Sequence, residues 1–384
     1  MLAMVFCAVM AGTTLPAPLY GIYQGMMGLT GTDVSVIFAI YALAVLGSLV
    51  LVGSWSDQLG RKPLLYAALA AALISDAIFL QAQHMSSLLV ARALSGLSAG
   101  LFTAAGTVAI VELAPADRKA RAGIMASAAN MGGLGLGPLL AGVVSAYLPW
   151  PTRLVFVLHA VAIAACVLVV MACPETVRRA SEVKLRPRAL RLSPDTRRVF
   201  PILAMASFAA FALIGLMTSL EPTLLRDTLH VASRAAIGLL LCVVFAASLV
   251  GQLIQGRLPQ QRRVPSACAV LSLGAVLLAC SLIGHSMTMM VIAVVVVGVG
   301  QGGVFAASIG EVGLTAAAGE RAENMAVLFV VAYLGVALPV LGLGVAADRV
   351  GLAGAAVSFC IAMALLACFA MAMSYRNAGS LAAK

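Results

Sequence analysis

Long apolar runs alternate with polar segments along the whole chain. Twelve runs are long enough to cross a bilayer as a helix, which takes about 20 residues. They cover residues 2–22, 34–54, 64–83, 88–113, 123–146, 154–173, 200–222, 235–255, 265–285, 289–314, 325–347 and 353–374. None shows the alternation of apolar and polar residues that is typical of an outer-membrane barrel strand. The pattern therefore predicts an all-α membrane protein with twelve transmembrane helices.

Composition agrees with this pattern and narrows the possible functions. The chain is 62% apolar and 10% charged, whereas a soluble domain carries about 25% charged residues. Its eight cysteines lie in or at the ends of apolar runs, without metal-ligand spacing. Neither a Walker phosphate-binding loop nor an HExxH metalloprotease motif occurs in the sequence. We therefore expect no enzyme, no cofactor and no metal site.

Basic residues are distributed unequally between the two sides of the membrane. With the N-terminus inside, nineteen Lys and Arg fall in inner loops and four in outer loops. This bias predicts a multi-pass protein of the cell (inner) membrane with both termini cytoplasmic. It also explains the net charge of +10 without a nucleic-acid partner. Because the first basic residue is Arg61, the first run is interpreted as a spanning helix and not as a cleaved signal peptide.

The longest polar segment, 175–199, carries eight basic residues and divides the chain in the middle. We predict an N-terminal six-helix bundle over 1–174, a basic cytoplasmic linker over 175–199 and a C-terminal six-helix bundle over 200–384. Short matches such as Asp117-Arg118 and Glu320-Arg321 occur at equivalent places in the two halves. Such repeats predict pseudo-symmetric bundles with a substrate site near the midplane.

The loop after the second run reads GSWSDQLGRK over residues 53–62. It resembles the signature loop of the major facilitator superfamily, and the matching residues are Gly53, Asp57, Gly60, Arg61 and Lys62. Gln58 departs from that pattern, because the position is usually basic. The alternative interpretation is a solvated basic turn that only fixes topology.

The same residues have physical roles that do not depend on the resemblance. Gly60 suits a tight turn, and Asp57 can cap a helix or pair with an arginine. Glu112 and Arg118 are the nearest suitable partners along the chain. We therefore predict a cytoplasmic charge cluster of Asp57, Arg61, Glu112 and Arg118 that acts as a gate.

Two helices extend the resemblance. Residues 92–100 of the fourth run, from Arg92 to Gly100, are similar to another conserved stretch of the family. The fifth run resembles the antiporter motif of the family's twelve-helix drug/proton antiporters. Its residues are Asn130, Gly133, Gly137, Pro138 and Gly142. We expect these glycines to pack closely against a helix of the other half, although small residues at this spacing also mark ordinary packing faces.

Ionisable residues inside the membrane are functional candidates, because burying a charge in lipid is costly. Asp76 and Arg92 lie at similar depth, and we predict that they pair. Glu311 has no obvious local partner and is our first candidate for carrying a proton or binding substrate; its alternative is pairing with a loop arginine. Glu221 either lines the outer mouth or snorkels to the surface. His159 is interpreted as a packing residue.

The resemblance also implies a central cavity that is mainly apolar. The residues expected to line it are Thr14, Tyr20, Thr103, Thr107, Thr218 and Gln301. We predict a monomeric secondary transporter that exports small apolar or cationic compounds in exchange for protons, as multidrug-resistance proteins of this family do. Its partners are a small-molecule substrate, protons and membrane lipid. The alternatives are a metabolite uniporter or proton symporter, and a non-transporting receptor or scaffold.

Overall fold

The structure is a computed structural model that describes residues 1–52, 55–177, 190–317 and 320–382, without the side chains of Asp57, Glu221 and 377–382. Twelve helices in these ranges are long and apolar enough to span a membrane. They are α1 (Leu2–Met27), α2 (Gly31–Val52), α3 (Arg61–Leu80), α4 (Met85–Glu112), α5 (Lys119–Tyr147), α6 (Leu154–Ala172), α7 (Pro194–Ser219), α8 (Arg234–Gln255), α9 (Gln260–Ile283), α10 (Met287–Thr315), α11 (Arg321–Val350) and α12 (Leu352–Ala382). The described ranges contain no β-strand. The predicted fold class is confirmed.

The helices form two compact units. The first contains α1, α2 from Val36 onward, α3 to α6, and residues 233–242 at the beginning of α8. The second contains residues 30–35, α7, the rest of α8 and α9 to α12. Large apolar side chains such as Val161, Leu168 and Leu365 are exposed on the outer faces of the helices. Such faces are suited to contact with lipid, as expected for a membrane protein.

Helix α1 is interrupted by two prolines. A helical segment from Leu2 to Thr14 is followed by a 3₁₀ turn at Ala17–Leu19, and the helix resumes at Tyr20. Because Pro16 and Pro18 have no N–H group, they cannot donate to the carbonyls four residues earlier in α1. Backbone carbonyls at this depth need other donors, so the interruption creates a place where side chains from other helices can bind α1.

Candidate functional site

An ion pair joins the beginning of α3 to the end of α4, and its arginine is buried while its carboxylate is 33% exposed. The Arg61 side chain is 7% exposed and donates through Nε to Glu112 Oε2 at 3.2 Å and through Nη2 to Oε1 at 2.9 Å. Its Nη1 donates to the hydroxyl of Ser56 at 2.6 Å. A two-pronged guanidinium–carboxylate contact is strong and directional, so it joins the beginning of α3 firmly to the end of α4.

Glu175, directly after α6, caps the beginning of α3. Its Oε1 accepts from the backbone N–H of Arg61 at 2.9 Å, and its Oε2 accepts from that of Lys62 at 3.0 Å. Burial acts to raise the pKa of Glu175, but these bonds and those from the N–H groups of Thr176 and Val177 outweigh it and lower the pKa. A carboxylate at a helix N-terminus is also favoured by the helix dipole.

Lys62 and Thr176 complete the connection to α6. Lys62 Nζ donates to the backbone oxygens of Met171 and Cys173, at 3.1 and 2.8 Å, at the C-terminal end of α6. The hydroxyl of Thr176 donates to Glu112 Oε2 at 2.5 Å. The ends of three helices are therefore held by one network. We call it the inner cluster, after the side of the membrane on which the sequence predicts it to lie: Ser56, Arg61, Lys62, Glu112, Glu175 and Thr176.

Gly60 shapes this network through its backbone. Its φ of +99° with ψ of 161° lies in a region that is essentially restricted to glycine. A Cβ atom at this position would lie 2.7 Å from Glu175 Oε2. Glycine is therefore needed here both for the turn and for the approach of the capping carboxylate.

The predicted membership of this cluster was partly wrong. Arg61 and Glu112 do meet, but Arg118 does not join them. Its side chain is 66% exposed and lies 3.6 Å from Asp117 Oδ2, because both residues belong to a surface 3₁₀ turn at Ala116–Arg118. Gly53 and the side chain of Asp57 lie outside the described residues. Glu175 and Thr176 were missed, although a Pro-Glu-Thr sequence at the end of a spanning helix marks a turn with capping groups.

The predicted Asp76–Arg92 pair is wrong. Asp76 on α3 instead bonds to His159 on α6, with 2.7 Å between Oδ2 and Nδ1. Arg92 on α4 donates through Nη1 to the backbone oxygen of Thr13 at 2.5 Å, at the interruption of α1. Equal depth placed the two charges at the same level of the membrane, but Asp76 faces α6 and Arg92 faces α1. His159 is therefore paired with a carboxylate and is not simply a packing residue.

Arg92 is fully enclosed. It is 2% exposed, and its guanidinium carbon lies 4.2 Å from the ring centroid of Tyr41 and 5.6 Å from that of Phe38. No carboxylate with a described side chain forms a salt bridge with it. Aromatic faces and a carbonyl therefore stabilise this buried cation.

The glycines of α5 make close backbone contacts, mainly with α1. A Cβ on Gly133 would lie 2.3 Å from the backbone oxygen of Cys7, and one on Gly137 would lie 2.2 Å from that of Ala11. The hydroxyl of Thr14 donates to the backbone oxygen of Leu134 at 2.9 Å. The expected partner was a helix of the other half. For these two glycines that expectation is wrong, because the interrupted helix of the same unit occupies their face.

The end of the motif has a different neighbour. A Cβ on Gly142 would lie 2.5 Å from the backbone oxygen of Arg234, and one on Gly238 would lie 2.3 Å from that of Pro138. Arg234 Nη1 donates to the backbone oxygen of Ser145 at 2.9 Å. The beginning of α8 thus packs on α5 within the first unit. Asn130 is half-buried one turn before the glycines.

Other candidate residues have varied surroundings. Thr218 is buried and donates to the backbone oxygen of Ile214 at 2.8 Å, and Gln301 accepts from Ser248 at 2.6 Å. Tyr20 is buried, and its hydroxyl has no hydrogen-bond partner among the residues that the structure describes. Thr103 and Thr107 are half-buried.

Glu311 is not an isolated buried carboxylate. It is half-buried and accepts from Gln260 Nε2 at 3.3 Å. The side chain of Glu221 lies outside the described residues. The described residues contain no group of three or more potential metal ligands.

Twelve spanning helices, an interrupted first helix and a charged inner cluster define a multi-pass membrane transporter fold. Residues 2–340 match the family model of the Major Facilitator Superfamily, and the chain belongs to this superfamily. Members of this superfamily are in general membrane transporters and not enzymes, and the chain has their fold.

Curated relatives carry names connected with drug resistance. The chain is 30% identical over 132 residues to the quinolone resistance protein NorA of Staphylococcus aureus, and the match covers 34% of each protein. It is 26% identical over 136 residues to multidrug resistance protein 2 of Bacillus subtilis, covering 35% of this chain and 34% of the relative. The chain thus matches about a third of the length of these relatives.

Solved structures match over nearly the full length. The human organic anion transporter MFSD10 (TETRAN) aligns with a TM-score of 0.70 at 18% identity and covers 96% of this chain and 98% of its own. At this identity the match supports the fold and not the substrate.

Proposed function

We propose that the protein is a proton-coupled exporter of small apolar or cationic compounds in the cell membrane, with both termini cytoplasmic. The observation that carries the proposal is the contact of α5 with α1, where two glycines of the antiporter-like segment leave no room for a methyl group against the α1 backbone. An exporter driven by protons must not leak them between its helices, and the close backbone contact of α1 with α5 suits that requirement. The relatives named for quinolone and multidrug resistance support the same proposal.

The inner cluster supports a mechanism of alternating access. Its ion pair, cap and lysine contacts stabilise one arrangement of the inner ends of α3, α4 and α6. Contacts that exist in one conformation bias the equilibrium toward that conformation. We infer that the inner cluster forms when the inner side is closed and separates when it opens.

Accumulation of ethidium, a lipophilic cation, in cells with and without the protein tests this function. Export predicts lower accumulation in cells with the protein, and a protonophore should abolish the difference. Higher accumulation driven by the proton gradient would favour a symporter. No difference for ethidium or for a quinolone would contradict the proposed substrate class.

Two conservative variants distinguish a specific loss of export from a loss of expressed protein. Arg61→Lys keeps the positive charge but loses the two-pronged contact with Glu112, so export should fall by about tenfold or more. Arg121→Lys changes an exposed arginine outside the inner cluster and should retain normal export.

A further inference from the structure

A buried acid–base pair lies apart from the inner cluster. Asp76 and His159 are 3% and 8% exposed, and a cavity of about 10 Å³ beside them has room for about one water molecule. The other polar residues that line it are Thr13, Ser75, Ser95 and Ser98. We propose that Asp76 and His159 form the proton-binding site of the transporter, and that the bound proton controls the attachment of α6 to α1.

The hydrogen bonds of His159 require a proton on the pair. Its Nε2 lies 3.0 Å from the backbone oxygen of Ala8, and a carbonyl oxygen only accepts, so Nε2 carries a hydrogen. Its Nδ1 lies 2.7 Å from Asp76 Oδ2, so a second hydrogen lies between these two atoms. The pair is therefore either a carboxylic acid beside a neutral imidazole or a carboxylate beside an imidazolium, and both forms hold one transferable proton.

Loss of that proton must break one of the two bonds. A neutral imidazole has one N–H, and it can serve either Asp76 or Ala8. The bond to the carboxylate is charge-assisted and stronger than the bond to a carbonyl. The remaining hydrogen therefore moves to Nδ1, and Nε2 is left with a lone pair facing the Ala8 oxygen. Deprotonation thus releases His159 from α1, whereas protonation restores the bond.

Helix α1 contacts His159 closely enough to respond to the loss or gain of this proton. A Cβ on Gly12 would lie 2.2 Å from Cε1 of His159, so the imidazole rests directly on the backbone of α1. Arg92 binds the Thr13 carbonyl, and the prolines interrupt the helix within the next turn. The proton therefore acts next to the proline interruption of α1, where helical hydrogen bonds are missing.

The surrounding charges favour exchange over co-transport. Arg92 is the charged side chain of α4 that reaches the same stretch of α1, and the cavity lining is otherwise neutral. With its proton, the pair is neutral and Arg92 adds one positive charge. Without its proton, the pair is negative and balances Arg92. Binding of a cationic compound and of the proton therefore oppose each other, and this opposition is reciprocal.

The proposed proton site rests on the proposed export function. The experiment therefore measures proton coupling and ethidium transport separately. Proteoliposomes that contain pyranine report proton movement when an ethidium gradient is imposed, and ethidium counterflow reports transport without net proton coupling. Asp76→Asn and His159→Gln should reduce ethidium-driven proton movement at least about tenfold while counterflow stays within about twofold. Glu311→Gln tests the competing candidate from the sequence and should keep its coupling if the pair is the proton site. Glu320→Gln removes an exposed carboxylate and is the matched control.

A second measurement observes the proton directly. The chain has four histidines, and His84, His230 and His285 are exposed. Replacing these three by Gln leaves His159 alone for ¹⁵N NMR in lipid, with the pair untouched. Raising the pH from about 5 to about 9 should deprotonate Nε2 while Nδ1 stays protonated, with the transition in the range where histidine can titrate.

The outcomes distinguish the site from the function. Ethidium transport by the wild type without proton movement would refute the proposed coupling. Normal coupling in Asp76→Asn or His159→Gln would overturn the assignment of the site, and coupling lost only in Glu311→Gln would transfer the role to Glu311. If the variants do not fold, unchanged ¹⁵N signals of His159 across the pH range would still overturn it.

Discussion

Glycine is needed at position 60 both for the positive φ and for the close approach of Glu175. Substitutions at two positions can separate these reasons. In Gly60→Ala the new methyl group meets both an unfavourable φ and the Glu175 carboxylate. We expect a loss of about 1–3 kcal/mol from the backbone alone, measured as a lower melting temperature in detergent. Gly351 is the matched control, because its φ is +82° and the space around it is open. Equal losses in Gly60→Ala and Gly351→Ala would show that the approach of Glu175 does not require glycine.

The lowered pKa of Glu175 predicts that the stability of the folded protein depends on pH. Its pKa is lower in the folded protein than the value of about 4.3 for an unfolded glutamate. A depressed pKa contributes stability above the unfolded value, and this contribution is lost as the pH falls through the folded value. The melting temperature of the wild type should therefore fall more steeply below about pH 4.3 than that of Glu175→Gln.

The control for this titration is Glu320→Gln, which removes an exposed carboxylate that precedes α11 without capping it. Its melting curve should retain the steep acid limb of the wild type. A steep limb in Glu175→Gln as well would assign the acid sensitivity to other groups.

At the scale of elements, substitutions at two glycines of α5 are expected to have different effects on stability and export. Gly137→Ala places a methyl group 2.2 Å from the backbone oxygen of Ala11, whereas Gly132→Ala meets no atom within 4 Å. Forcing two packed backbones apart costs about 1–3 kcal/mol, so Gly137→Ala should melt at a lower temperature and lose ethidium export. Gly132→Ala should keep both properties. Normal export in Gly137→Ala would remove the α1–α5 contact from the argument for an exporter.

The elements themselves were predictable, whereas several side-chain partners were not. All twelve spans follow from apolar length, because every residue in lipid must form a helix or another hydrogen-bonded structure. Depth along a helix also follows from counting residues, which is why Asp76 and Arg92 were placed at one level. Rotation about the helix axis does not follow from depth, and the rotation in the structure turns Asp76 toward His159.

The same limit explains why the membership of the inner cluster was predicted only in part. The chain positions of Arg61 and Glu112 made their contact predictable, since both lie at the inner ends of spanning helices. Glu175 is separated from Arg61 by 114 residues, and only the packing of α3 against α6 brings it to the N-terminus of α3. Arg118 was expected to join because it lies near Glu112 in sequence, but its turn projects away from the helices.

In the whole molecule, helices α1, α3, α4 and α6 connect the proposed gate with the proposed proton site. Both lie in the first compact unit. The inner cluster ties the inner ends of α3, α4 and α6, while Asp76 and His159 join α3 to α6 and, when protonated, to α1. A change in protonation of the proposed site would therefore act on helices that also carry the proposed gate.

The direction of ethidium movement in proteoliposomes under an imposed pH gradient shows whether the protein exchanges a substrate for protons. Vesicles with an acidic interior and equal ethidium on both sides should accumulate ethidium, because protons leaving the vesicle drive the dye inward. Vesicles with an acidic exterior should lose it. Collapse of the gradient by a protonophore should stop both movements. Accumulation under an acidic exterior would establish co-transport instead, and movement that is independent of the gradient would contradict proton coupling.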